Sequence, residues 1–153
     1  MIDKLQPYGL LIGRVVIGVV FIAHGYQKWF VKGMDATTQG FEGLGIPAPQ
    51  LAAYFTATVE LVGGVLFILG ALMPIVGFLF AFTMAGAYYY VHSATFFNQE
   101  GGYEYVLVLA AASIALGFSG GGAFAVDKLF TRKKNQDEDQ AAADATTAIR
   151  TAV

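Results

Sequence analysis

Four long apolar runs, separated by polar or glycine-rich breaks, organise the chain. The first extends from Tyr8 to Val31, interrupted by Arg14, His24 and Lys28, with Pro7 where a helix would begin. The stretch 32–49, KGMDATTQGFEGLGIPAP, is rich in Gly, Pro and polar groups and reads as a loop along the membrane interface. A second apolar run reaches from about Gln50 to Leu72. GALMP, with Gly70 and Pro74, then leaves room only for a hairpin between antiparallel helices. A third run spans about Ile75 to His92. After SATFFNQEGG, a fourth covers about Tyr103 to Ser119 and ends at Gly120, Gly121 and Gly122. Each has roughly 17 to 24 residues, which at ~1.5 Å rise matches a hydrocarbon core of ~30 Å. The pattern predicts an all-α membrane protein, a bundle of four transmembrane helices.

Composition strengthens that reading. Of the 153 residues, 56% are hydrophobic and only 13% charged, and a soluble domain of this size could not bury so much apolar surface. No Asp, Glu, Lys or Arg lies between Glu60 and Glu100, nor in residues 105–126. Arg14 interrupts the first run and no small-residue cleavage pattern follows it, so residues 1–31 read as part of the mature protein rather than a signal peptide. An even number of spans puts both termini on one side. Lys4, Lys128, Arg132, Lys133 and Lys134 mark that side as cytoplasmic, against only Lys28 and Lys32 on the other. Residues 1–130 form the membrane domain, and 131–153 a disordered, charged and Ala-rich cytoplasmic tail.

Charge and cysteine usage narrow the function. The net charge of -2 comes without a basic stripe, which gives no nucleic-acid footprint. There is no cysteine, so any redox role rests on a bound cofactor or a partner protein rather than on a thiol. Small residues, among them Gly13, Gly18, Gly63, Gly64, Gly77, Ala81, Ala85, Gly86 and Ala110 to Ala112, are candidates for close helix approach, because lipid supplies no hydrophobic drive between helices.

Polar residues inside the apolar runs are the candidate chemistry. Arg14, Gly18, Phe21, Gly25 and Lys28 share one face of the first helix, with His24 on the adjoining flank. Arg14 and Lys28 are only about 20 Å apart along the helix, so one or both must face the hydrocarbon zone or protein; snorkelling accounts for Lys28 beside Trp29. Glu60 lies mid-membrane, where a carboxylate costs roughly 2.5 to 3.5 kcal/mol and needs a partner inside the bundle. Counting depth from Tyr8 and Leu72 places Arg14, Glu60 and His24 at about 9, 18 and 24 Å, which makes Arg14 and His24 the candidate partners. Such a pair either fixes helix register or handles a proton in a cavity. His92, Glu104 and Tyr89 fall on the outer side with His24 and Lys28. Together they outline a polar pocket within a belt of Tyr and Phe, with no spacing suited to a metal.

Several of these residues recur in a known combination. Arg14, Gly18, Phe21, His24-Gly25 and Lys28, then LGIPAP at 44–49, ELVGG at 60–64 and LG at 69–70, resemble the DoxX family of small four-helix membrane proteins. His92, Glu104 and GFSGGGAFAVD ending at Asp127 fit the same style, and the likeness covers about residues 8–130. It implies a bacterial or archaeal plasma-membrane protein, a subunit of an oxidoreductase working with a quinone-like molecule and a redox partner protein. In that reading Glu60 and His24 handle protons, while Arg14 and Lys28 orient the ligand. Two further readings stay open: a carrier for lipid-like or aromatic solutes, and a scaffold anchoring soluble enzymes at its basic end. A homo-oligomer is compatible with each.

Overall fold

The structure is a computed structural model that describes residues 2–128. Helix α1 runs over Ile2–Tyr26 and continues as a π-helical turn, Gln27–Lys32. Helix α2 follows at Met34–Gly43, α3 at Pro49–Leu69, and α4 at Met73–Ala87 with a second π-helical turn at Tyr88–His92. A short 3₁₀ turn, Asn98–Glu100, precedes α5 at Glu104–Gly117. Among the described residues there is no strand. Three segments are long and apolar enough to cross a membrane: Lys4–Lys32, Pro49–Leu69 and Met73–His92. Helix α5 is apolar but only 14 residues long, about 21 Å of rise, shorter than the expected run to Ser119. The tail 131–153, with Arg132, Lys133 and Lys134, lies outside the described residues.

Two sequence expectations are corrected here. The stretch 32–49 is not wholly loop, because Gly33 turns the chain with φ 81° and Met34–Gly43 then forms a ten-residue helix. Its first turn is pinned by Thr37, whose Oγ1 donates to the Gly33 carbonyl at 2.9 Å. Pro7 does not start α1 but sits inside it. Its carbonyl oxygen instead accepts a hydrogen bond from the Ala123 amide at 2.8 Å, so the two ends of the described chain meet.

Small residues set how the helices pack. Helix α1 lies along α3 and α4 along α5. A methyl group on Gly64 would come within 2.8 Å of the Gly18 carbonyl oxygen, and one on Gly18 within 2.8 Å of the Gly64 carbonyl oxygen. The α4–α5 seam repeats the device: a methyl on Gly77 would meet the Ser113 carbonyl oxygen at 2.6 Å. Gly63 approaches Phe80 and Val76 on α4, whereas Gly86 faces open space. Between the two ends of the bundle, Phe21 and Phe80 stack with centroids 3.6 Å apart and Phe67 tilts against Phe80 at 5.3 Å. Val76, Met84, Val106 and Leu109 complete this buried apolar layer.

Candidate functional site

Polar groups gather at both ends of the apolar layer. At the end where the hairpin and the chain ends meet, Arg14 is 1% exposed. Its guanidinium donates to the Gly121 carbonyl and, at 3.1 Å, to the Ala123 carbonyl. Those carbonyls belong to the segment after α5, where Gly120, Gly121 and Gly122 all take positive φ and the chain is no longer helical. Nearby, the Asp127 carboxylate accepts from the Leu72 and Met73 amides at 2.8 and 2.9 Å, capping α4 from 54 residues away in the chain. Arg14 therefore satisfies backbone that left its helix. It does not reach Glu60.

Glu60, 3% exposed, is bound at the other end by Lys28, whose Nζ lies 2.6 Å from Oε2. Lys28 thus points into the bundle rather than snorkelling, and it replaces both expected partners. The cause is helix register. Gly25 allows α1 to approach α3 so closely that a methyl there would lie 2.5 Å from the Leu61 amide nitrogen. Setting Gly25 level with Leu61 displaces the helices by about 9 Å from the depths counted from Tyr8 and Leu72, which leaves Arg14 far below Glu60 and brings Lys28 within a turn of it. Gly25 was readable as a small residue on the polar face; its distance of three residues from Lys28 was the available signal.

The pair opens onto a cavity of about 620 Å³. Its wall combines apolar side chains, such as Phe21, Phe41, Phe55, Phe82 and Leu109, with His24, Gln27, Lys28, Lys32, Glu60, Tyr89, Tyr90 and His92. Both π-helical turns contribute, one carrying Gln27, Lys28 and Lys32, the other Tyr89, Tyr90 and His92. Such turns widen a helix by one residue and re-aim the side chains around it, a feature that recurs at functional sites and leaves no mark in hydropathy. His24 lines the cavity and is exposed, without a bond to Glu60. His92 lines it while its Nδ1 hydrogen-bonds with the Gly101 carbonyl at 2.8 Å. Tyr89 lines it and is largely exposed. Glu104 is outside the lining, where its Oε1 accepts from the Asn98 amide at 2.8 Å and holds the loop before α5. Of the sequence candidates, the structure gathers His24, Lys28, Glu60, Tyr89 and His92 at one cavity and leaves Arg14 and Glu104 apart.

A fold that is all-helical over the described residues, with three membrane-length helices and a buried ion pair beside an apolar cavity, is that of a small integral membrane protein. The chain belongs to the DoxX family, which matches residues 9–93. It is 39% identical to "Putative oxidoreductase CatD" of Bacillus subtilis over 87% of this chain and 96% of that protein. An uncharacterized protein of Haemophilus influenzae is 33% identical, with 86% and 98% covered. Inner membrane protein YqjF of Escherichia coli is 26% identical over 85% of this chain and 98% of its own length. No solved structure matches.

Proposed function

We propose that the chain is a bacterial plasma-membrane subunit of an oxidoreductase that binds a quinone-like molecule beside Lys28 and Glu60 and works with a redox partner protein. The observation that carries this reading is the 2.6 Å Lys28–Glu60 pair opening on a cavity of about 620 Å³. That volume falls in the range of small-molecule sites, which are mostly apolar with a few polar groups to fix orientation. The donor set suits a quinone: Phe55 and Phe82 offer ring contacts, and Lys28, Gln27, His24 and Tyr90 carry N–H or O–H groups for its carbonyl oxygens. A bound quinone would supply the electron-accepting chemistry that a chain without cysteine lacks.

The chain's own residues then have distinct tasks. Lys28 donates to a ligand oxygen, Glu60 takes up or releases a proton within the bundle, and His24, on the same cavity wall, relays it. The name of the Bacillus subtilis relative supports an oxidoreductase, and that of the Escherichia coli relative supports the inner membrane. Counting α5 as a fourth span puts both chain ends on one side, and Lys4 with Lys128 makes that side cytoplasmic.

Trp29 is the sole tryptophan, stacks edge-on against Tyr54 at 5.5 Å and adjoins Lys28, so it reports on this site. A short-chain quinone titrated into the protein in zwitterionic nanodiscs should quench Trp29 saturably, and Glu60→Gln should weaken that binding. Mass spectrometry of protein purified natively in mild detergent should find a quinone. Failure of both the quench and the co-purification overturns the proposal. Saturable binding without quinone-dependent electron transfer in membranes would point to a carrier instead.

A further inference from the structure

The cavity carries an imbalance of charge that the ion pair does not use. Among the described residues lining it, Glu60 is the single carboxylate, and its Oε2 is already held by Lys28. Lys32 also lines the cavity, and no carboxylate of the described residues pairs with it. His24, Lys28 and Lys32 follow one another at intervals of four residues. In an α-helix each such step drifts by about 40° around the axis, but the π-helical turn over Gln27–Lys32 is wider, so the two lysines stay on the cavity side. One nitrogen-bearing file therefore descends from the mouth to Glu60, above a floor of Phe21.

We infer that this site selects an apolar ring that bears one anionic oxygen, with the ring among the aromatic side chains and the anion at Lys32. The inference rests on the quinone reading and narrows its substrate class to the acidic members, hydroxyquinones ionised at neutral pH. An ammonium with no carboxylate partner attracts an anion even where it is exposed at the cavity mouth, two charges 4 Å apart gaining about 1 kcal/mol in water. A neutral ring of the same size leaves Lys32 without a partner. The anion also explains why the cavity has a second lysine when one suffices for Glu60.

Two naphthoquinones separate the claims: 2-methyl-1,4-naphthoquinone is neutral, and 2-hydroxy-1,4-naphthoquinone is an anion at neutral pH. Quenching of Trp29 in zwitterionic nanodiscs should show the anion binding about fivefold more tightly. Lys32→Gln should abolish that preference, bringing the two affinities together, and Lys32→Arg should restore it. Lys32 is exposed, so neither substitution threatens the fold. Equal affinities for the two rings, or a preference that survives in Lys32→Gln because the lysine serves only lipid headgroups, overturns this inference but leaves the quinone site intact. Binding of neither ring overturns both.

Discussion

The two ends of the bundle hold an intramembrane cation in opposite ways. Arg14 gives its guanidinium to the Gly121 and Ala123 carbonyls, in a place where Gly70, Gly121 and Ala125 are all buried around it. Lys28 gives its ammonium to one carboxylate and faces a cavity. Non-helical backbone packed against the bundle needs hydrogen-bond partners, and Arg14 with Asp127 supplies them for the hairpin and the segment after α5. One cation closes the fold; the other remains addressable. Polar residues in a membrane helix are thus separated by what receives their hydrogen bonds, and depth or charge alone does not distinguish them.

The largest effect should come from breaking the closed end. Arg14→Ala orphans two carbonyls and leaves a cavity where a fully buried side chain was, so about 3 to 5 kcal/mol of stability should be lost. Unfolding in detergent should show this as a large drop in Tm and a poor yield of monodisperse protein. A comparable loss in Glu60→Gln, with ligand binding intact, would reverse the assignment of the two ends. Next in size is the seam between them: Gly64→Ala drives a methyl toward the Gly18 carbonyl oxygen and should cost roughly 1 to 3 kcal/mol, read by the same melt.

The open end should respond in binding rather than in stability. Replacing Lys28 and Glu60 together by methionine removes the pair without leaving an unpaired charge, so stability should change by less than about 1.5 kcal/mol or rise. Quinone quenching of Trp29 should nonetheless be lost. Retained quenching would show that the pair only sets helix register. At the closed end Asp127→Asn keeps one cap acceptor and loses the charge at the start of α4, so it should cost about 1 kcal/mol, measured by Tm, with binding unaffected.

What was legible in the sequence follows the same division. Hydropathy and Gly or Pro breaks located α3 and α4 closely, because a membrane helix must be apolar along its length and the Gly70 turn needs a positive φ. Glu60 was found because a lone carboxylate in an apolar run is costly anywhere. Its partner was not, because register between α1 and α3 depends on where Gly18, Gly25 and Gly64 let the backbones touch, a property of two helices at once. The role of Arg14 was hidden for the same reason: its acceptors are backbone carbonyls more than 100 residues away. The π-helical turns add one residue to a helix without altering its composition, so Lys28, Lys32 and Tyr90 could not be aimed from spacing.

The smallest effect tests whether the open end gives up stability for its cavity. Gly86 lies in the cavity wall on α4, just before the second π-helical turn, and a methyl there would meet nothing within 4 Å. A glycine inside a helix is less favourable than alanine by roughly 0.5 to 1 kcal/mol, so Gly86→Ala should raise Tm slightly in the absence of ligand. The added methyl projects into space a ligand would use. Quinone should therefore stabilise the variant less than the parent protein, and the two melting curves should draw together or cross as quinone is added. A variant that gains stability and keeps the full ligand-induced shift would mean that this part of the wall does not meet the ligand, and would confine the site to the α1 side around Lys28 and Lys32.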